Sequence, residues 1–349
     1  MKLLSLFSGI GAFEKALTNL GIEYDLVAYC EIDKFASKAY SLIHGVPEYL
    51  NFGDITKINE KSLPTDIDLI TYGFPCQDIS TAGLQRGFFR EDGSKTRSGL
   101  FFDALRIIQA TKPKIAIAEN VKNLTGKKNV QPFQMVLNGL EEAGYNNYWS
   151  ILNAEDYGIP QHRERLFIVS IRKDIDEGKF TFPAPVPLTT CMNDFLEDDV
   201  DESYYYSKEY IRNVKSKRFN SERDRIQSRG GGSYRTLLAH DYKGPVIVAD
   251  LNHYGNDQMN RIFSPEGLSP TLKTVSGGGR EVKVQDGERY RKLTPREYMR
   301  LMGFADRDVD VLIENGISKT QIYKVAGNSI VVPVLEHLFR QIYGREETY

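Results

Sequence analysis

Cysteine is scarce: three in 349 residues cannot build a disulfide framework. Long apolar runs are missing as well. No stretch approaches the ~20 apolar residues that span a bilayer, and the Met-Lys-Leu-Leu start lacks the apolar run of a signal peptide. The expectation is a cytoplasmic protein of a reducing compartment, away from membranes. Charge of one sign is lacking too. Lys plus Arg number 45 and Asp plus Glu 47, a net charge of -2, so any surface for a polyanion must be a local patch. There is no internal repeat and no low-complexity tract. With 41% hydrophobic and 26% charged residues, disorder, collagen-like repeats and coiled coil are excluded. The length exceeds what one ordinary domain needs and falls short of three, which predicts a large domain with a smaller companion.

What is present in the first half is alternation. Short apolar strands are predicted at Leu3 to Phe7, Leu26 to Cys30, Asp68 to Tyr72, Lys114 to Ala118 and Leu166 to Ile171. Helical periodicity lies between them, up to Leu20, over 33–43, and near 99–110 and 132–143. That order predicts an α/β domain, a mostly parallel sheet covered on both faces. Such sheets bind ligands beyond the carboxyl ends of their strands, where Gly9, Glu31, Cys76 and Glu119 all fall. The character changes near 183. Pro183, Pro185 and Pro187 are followed by an acidic run (Asp194 to Glu202), then ten basic residues against four acidic ones from 208 to 243. Glycines cluster at 230–232 and 277–279, which suggests a loop-rich second domain. Thr294-Pro295-Arg296-Glu297 reads as a capping box that starts a helix.

The chemistry-bearing residues gather at the predicted strand ends. Gly9-Ile10-Gly11, between a strand and a helix, lets backbone approach a ligand. Glu14 replaces the third glycine of the dinucleotide fingerprint, which disfavours a nicotinamide dehydrogenase. Glu31 is placed to accept from two ribose hydroxyls, and Asp54 is a similar strand-end carboxylate; together they suit a nucleoside-bearing cofactor. Cys76 follows Pro75 in a polar loop at the ligand edge, a candidate nucleophile, whereas Cys30 and Cys191 read as buried, inert thiols. The five histidines give no Cys-His hydrolase signature. Glu119 ends a neighbouring strand. Arg163 and Arg165 alternate on one face of an extended segment, either a solvated charge run or an anion clamp and brace.

The ordered set Phe7-Ser8-Gly9-Ile10-Gly11, Gly73-Phe74-Pro75-Cys76-Gln77, Glu119-Asn120-Val121, Gln161-His162-Arg163-Glu164-Arg165 and Gly327-Asn328-Ser329 resembles the DNA (cytosine-5) methyltransferases. Arg291 to Glu297, with Met302-Gly303-Phe304, is similar to that family's block before its last motif, and Thr271-Leu272 to a dipeptide of its recognition domain. The resemblance covers 1–172 and 289–349; Ala12 departs from it where many members carry glycine. It implies a Rossmann-like methyltransferase domain of 1–185 and 325–349, with a target-recognition domain and hinge over 186–324. It further implies an S-adenosylmethionine pocket lined by Phe7, Gly9, Gly11, Glu31 (ribose), Ile32 and Asp54 (adenine), Leu100, Asn328 and Ser329. Pro75 and Cys76 would be the catalytic pair, with Glu119, Arg163 and Arg165 around the target base.

The expected activity is methyl transfer to C5 of a flipped-out cytosine in double-stranded DNA, leaving S-adenosylhomocysteine. No metal is expected. A prokaryotic or phage modification enzyme follows, acting as a monomer on the nucleoid, with a paired restriction endonuclease as a candidate partner. The rivals are a tRNA cytosine-5 methyltransferase, which would share the catalytic set, and a catalytically silent DNA-binding relative, whose sign would be a lost Cys76 or Glu119.

Overall fold

Lys2–Leu6 forms β1, and the chain leaves it at Phe7, whose φ of 52° is incompatible with a strand. The computed structural model describes residues 1–75, 88, 94–211, 245–251, 257–275 and 279–344. Cys76, most of the basic stretch with Arg223 and Arg225, and the glycines at 230–232 lie outside the described residues.

Asp25–Cys30 (β2), Leu69–Tyr72 (β3) and Ile115–Val121 (β4) run parallel to β1; Glu164–Arg172 (β7) pairs antiparallel with β4, and Tyr145–Asn153 (β5) antiparallel with β7, in the order β2-β1-β3-β4-β7-β5. The sheet is therefore parallel on one side and antiparallel on the other. β4 runs on through Val121, past the predicted end at Ala118, because β7 supplies ladder partners opposite Glu119, Asn120 and Val121. β5 escapes the sequence pattern: it is an edge strand with two asparagines near its start and half-exposed positions along most of its length.

Helices form where periodicity and caps agree. Lys34–His44 (α2) starts at Asp33, whose side chain accepts from Phe35 N and Ala36 N, and stops at Gly45 with φ 62°. Phe101–Thr111 (α3) buries Phe101, Ala104, Leu105, Ile107, Ile108 and Thr111, one face of a 3.6-residue helix. With Val130–Glu142 (α4) it packs on Leu4, Leu6, Ile70, Tyr72, Ala116 and Ala118 of the sheet. The alternate residues Leu3, Ser5, Leu69, Thr71 and Ile117 point the other way and are buried as well. Beyond them Phe13 of Ala12–Asn19 (α1) meets Phe339 of the last helix, Val332–Tyr343 (α8), at 6.2 Å between ring centres.

The chain divides into two compact units: 1–153, 164–185 and 329–349 form one, 154–163 and 186–328 the other. Residues 154–163 were read above as part of the first domain. They cluster with the second because Gln161–His162 (β6) pairs with Ser269–Pro270 (β10), and the return to the first unit comes at Ser329 rather than 325. The second unit holds a mixed sheet of Ile247–Asp250 (β8), Arg261–Phe263 (β9), Lys283–Asp286 (β11) and Arg289–Lys292 (β12). It also holds helices Pro295–Arg300 (α5), Asp306–Glu314 (α6) and Lys319–Asn328 (α7). The capping box is present: Thr294 Oγ1 accepts from Glu297 N, and Glu297 Oε2 accepts from Thr294 N. Glu297 also takes both arms of the buried Arg291 guanidinium, at 2.8 and 2.9 Å. Among the described residues no helix is long and apolar enough to cross a membrane.

Candidate active site

The four parallel strands bring their carboxyl ends to one edge, and the first unit's candidate residues are carried there. Three alternate residues of the turn after β1 are left-handed: Phe7 (φ 52°), Gly9 (φ 56°) and Gly11 (φ 75°). A side chain at Gly9 would meet no atom within 4 Å, so space opens in front of that backbone. At Gly11 a Cβ would lie 2.2 Å from His44 Nε2 and 2.8 Å from Tyr40 Cε2, so the loop sits directly on α2. His44 Nε2 also makes a 3.0 Å hydrogen bond with Ile10 O. The turn is thus shaped from behind by a histidine that no motif marked.

Glu31, next after β2, has its carboxylate fixed from both sides: Oε2 accepts from Gly9 N at 3.0 Å and Oε1 from Asp33 N at 2.7 Å. Burial pushes its pKa above the usual carboxylate range, and the N–H bonds oppose that shift. Beside it Ile32 is 76% exposed, an apolar face with nothing over it among the described residues. Asp54 Oδ1 accepts from Thr56 Oγ1 and N, which hold its pKa low. Behind the Asp54 loop, Arg106 of α3 donates to Ile55 O and Ile58 O, both at 2.7 Å. Leu100 stands at the start of α3, packed against the core. Cys30 is buried, donates to Gly53 O at 2.9 Å and has its pKa pushed up to about 12 by burial, so it is inert; Cys191 is only half-buried.

This arrangement fits an adenosine-bearing ligand. It offers an anchored carboxylate for vicinal hydroxyls, an exposed apolar side chain for a base, and an open glycine turn bonded to that carboxylate. Ser8 Oγ in the same turn is buried without a hydrogen-bond partner among the described residues.

Two strands along, Phe74 anchors the turn that leads to Pro75, packed in an aromatic cluster with Phe88 and Phe101. Asn120 Nδ2 donates to Phe74 O at 3.0 Å, tying the end of β4 to that turn. The neighbouring Glu119 carboxylate is paired to Arg165 of β7, Nε to Oε1 at 3.0 Å, with both side chains less than a fifth exposed. Glu119 Oε2 lies 3.6 Å from where a Cβ on Gly73 would be. Glu119, Arg165 and the Gly73–Pro75 turn therefore share one corner of the first unit; Cys76 lies one residue beyond its described part.

Arg163 is buried rather than solvent-facing. It is 3% exposed and belongs to the second unit, where it donates to Leu272 O and Gly327 O, both at 3.1 Å. Gln161 works beside it, donating to Leu301 O and accepting from Leu272 N, and Thr271 Oγ1 bonds His162 O. The first half of the Gln161–Arg165 motif is thus a brace for the Thr271-Leu272 segment. Asn328 is exposed at the end of α7 in the second unit; Ser329 is buried and begins the returning stretch of the first. Sequence reasoning missed His44 and Arg106 and gave Asn120 no role within its motif; each of the three holds main-chain atoms. Among the described residues no group of three or more acidic, histidine or cysteine side chains is placed to hold a metal ion.

A nucleoside cradle beside a carboxylate–guanidinium pair at the edge of an α/β sheet defines a candidate group-transfer enzyme. The family model for C-5 cytosine-specific DNA methylase matches residues 1–344. The chain is 32% identical to the orphan methyltransferase M.SPBetaI of Bacillus phage SPbeta, with 98% of this chain and 97% of that protein covered. It is 34% identical to the type II methyltransferase M.HhaI of Haemophilus parahaemolyticus, covering 97% and 93%. The solved Entamoeba histolytica methyltransferase EhMeth matches with a TM-score of 0.71 over 99% of each chain at 16% identity, a likeness of fold. The chain belongs to the C-5 cytosine-specific DNA methylases and is a DNA cytosine-5 methyltransferase, a family whose methyl donor is S-adenosylmethionine.

Proposed function

We propose that this chain methylates C5 of cytosine within a specific sequence of double-stranded DNA, using Cys76 as the nucleophile. The observation that supports the roles best is the Glu119–Arg165 pair beside the turn that leads to Pro75, the residue before Cys76 in sequence. C5 of cytosine is a poor nucleophile until the ring is opened electronically. The Cys76 thiolate adds to C6, the C5–C6 double bond shifts its electrons toward N3, and Glu119 supplies the proton or hydrogen bond that receives them there. Arg165 orients Glu119, and Pro75 restricts the backbone that carries the thiolate. S-adenosylmethionine supplies an electrophilic methyl group on a sulfonium. C5 takes that methyl and N3 gives back to Glu119 any proton it received; C5 then loses its own proton to a base, and that electron pair restores the C5–C6 double bond and expels the thiolate.

Phe7, Gly9, Gly11, Glu31, Ile32, Asp54 and Leu100 are the residues we assign to the donor, with Glu31 on the ribose and Ile32 and Asp54 on the adenine. Asn328 and Ser329 keep the same assignment from their motif. The target atoms lie inside a duplex, so the base must be extruded before it can react. The second unit is assigned to sequence reading, through phosphate contacts that position and base-edge contacts that specify. The test is transfer of labelled methyl from S-adenosylmethionine to duplex DNA and to tRNA, with bisulfite sequencing of DNA from cells expressing the protein. Wild type should mark cytosine in DNA at one sequence, and Cys76→Ala should not. Labelling of tRNA alone, or full activity in Cys76→Ala, overturns the reading.

A further inference from the structure

We infer that Asn51, which belongs to none of the family-like motifs, is the positioning residue that sets the span between the two cofactor carboxylates, Glu31 and Asp54. The inference rests on the proposed donor site. Asn51 lies between α2 and the Gly53-Asp54 turn, and its side chain makes four hydrogen bonds. Oδ1 accepts from Glu31 N at 3.0 Å and from Gly53 N at 2.8 Å. Nδ2 donates to Glu31 O at 2.9 Å and to Ser37 Oγ at 2.8 Å. An amide offers two donors and two acceptor lone pairs, so this one is fully used.

Three of those bonds go to the main chain of the two segments that present the carboxylates. Glu31 is gripped at both its N–H and its carbonyl, and the residue before Asp54 at its N–H. The same two segments are joined by Phe52 N to Tyr29 O at 2.8 Å and by the Cys30 thiol to Gly53 O. Ser37 Oγ, itself 3.2 Å from the Tyr29 hydroxyl, ties the amide back to α2. Gly53 has φ 67°, so the turn bends sharply and needs an external hold to fix its direction. An amide is the side chain that satisfies this set. A carboxylate would set an oxygen in place of Nδ2, against the Glu31 carbonyl it cannot donate to, and an apolar residue would leave all four groups without a partner there.

A ligand that bridges Glu31 and Asp54 binds well only if both are held at the right separation before it arrives. Loss of Asn51 should therefore weaken donor binding without touching the reacting corner. The experiment uses the full-length protein, with S-adenosylhomocysteine titrated by calorimetry and initial rates measured on duplex DNA against S-adenosylmethionine. Asn51→Ala should weaken S-adenosylhomocysteine binding at least tenfold and raise KM for the donor in step. Its kcat at saturating donor should stay within about threefold of wild type. Asn51→Asp keeps the size and the acceptor, and covers the case in which the alanine variant does not fold; it too should lose donor affinity. In the Glu31→Ala background, Asn51→Ala should cost less than it does in the wild type, since the span it sets then lacks one of its two carboxylates. A folded Asn51 variant that binds S-adenosylhomocysteine like wild type, or one that loses kcat with KM unchanged, overturns the inference alone. Wild-type protein that fails to bind S-adenosylhomocysteine overturns the donor-site reading, and the inference with it.

Discussion

Lys283 is a buried ammonium on β11, 1% exposed, donating to Gly279 O and Glu281 O. Desolvation lowers its pKa from 10.5 to about 8, with Glu281 opposing the shift and Lys292 adding to it. A lysine lowered in the folded state binds fewer protons there than when unfolded, so stability rises with pH from about 8 toward 10.5. Wild type should gain roughly 2 kcal/mol between pH 7 and 9.5 relative to Lys283→Met, read from urea unfolding at both pH values. Parallel pH curves for the two proteins would mean that the ammonium is not penalised. The candidate site was legible at this scale only where side chains meet ligands or one another. Glu119 and Arg165 stood in recognisable motifs and form a pair. Arg163 looked the same as Arg165 on an extended segment, but the chain breaks at it between β6 and β7, and it grips two carbonyls instead. His44 and Asn51 were silent, and Asn120 stood in its motif without a role, because they act mainly on backbone atoms, and a main-chain partner leaves no matching residue type in the sequence.

At the scale of elements, the glycine turn after β1 separates two jobs that its motif merges. Gly9 and Gly11 are both left-handed, so alanine strains either by about 1 kcal/mol or more. At Gly11 the added methyl also collides with His44 and Tyr40, and overpacking raises the total to about 3 kcal/mol. At Gly9 it enters open space on the proposed donor side. Gly11→Ala should therefore lower the urea midpoint clearly. Gly9→Ala should lower stability by no more than that backbone strain of about 1 kcal/mol and should weaken S-adenosylhomocysteine binding as well, as calorimetry would show. The opposite pattern would put the ligand on the α2 side of the turn. Strands and helices of the first unit were readable because burial on both faces of a sheet gives short unbroken apolar runs, and α2 and α3 carry caps or a clear apolar stripe. Two features were not. β5 is a half-exposed edge strand whose pairing with β7 is antiparallel, and β6 is two residues whose partner, β10, lies more than a hundred residues away. Long-range pairing of so short a strand has no local signature.

For the whole molecule the deciding quantity is charge. A protein of net charge -2 is not drawn to a polyanion by its mean field, so affinity for DNA must come from a concentrated patch. Much of the first unit's basic side chain is already committed: Arg165 to Glu119, Lys122 to Glu164, Lys114 to Asp68 and Arg172 to Asp174. In the second unit Arg289, Arg291, Arg296 and Arg300 are likewise paired with acids. The stretch from 208 to 243, with ten basic residues against four acidic ones, is the excess that the sequence offers. If about six phosphates are neutralised there, log K should fall against log salt with a slope near -5, a loss of about a thousandfold between 50 and 200 mM. Fluorescence anisotropy on a labelled duplex with S-adenosylhomocysteine present measures this without turnover. Replacing Arg223 and Arg225 together by Gln should remove about two phosphate contacts and flatten the slope by nearly two. If instead those arginines read base edges, the slope should hold and discrimination between the methylated sequence and its one-base variants should shrink. A slope shallower than about -2 in the wild type, or a double variant unchanged in both slope and discrimination, would move the DNA surface away from this stretch.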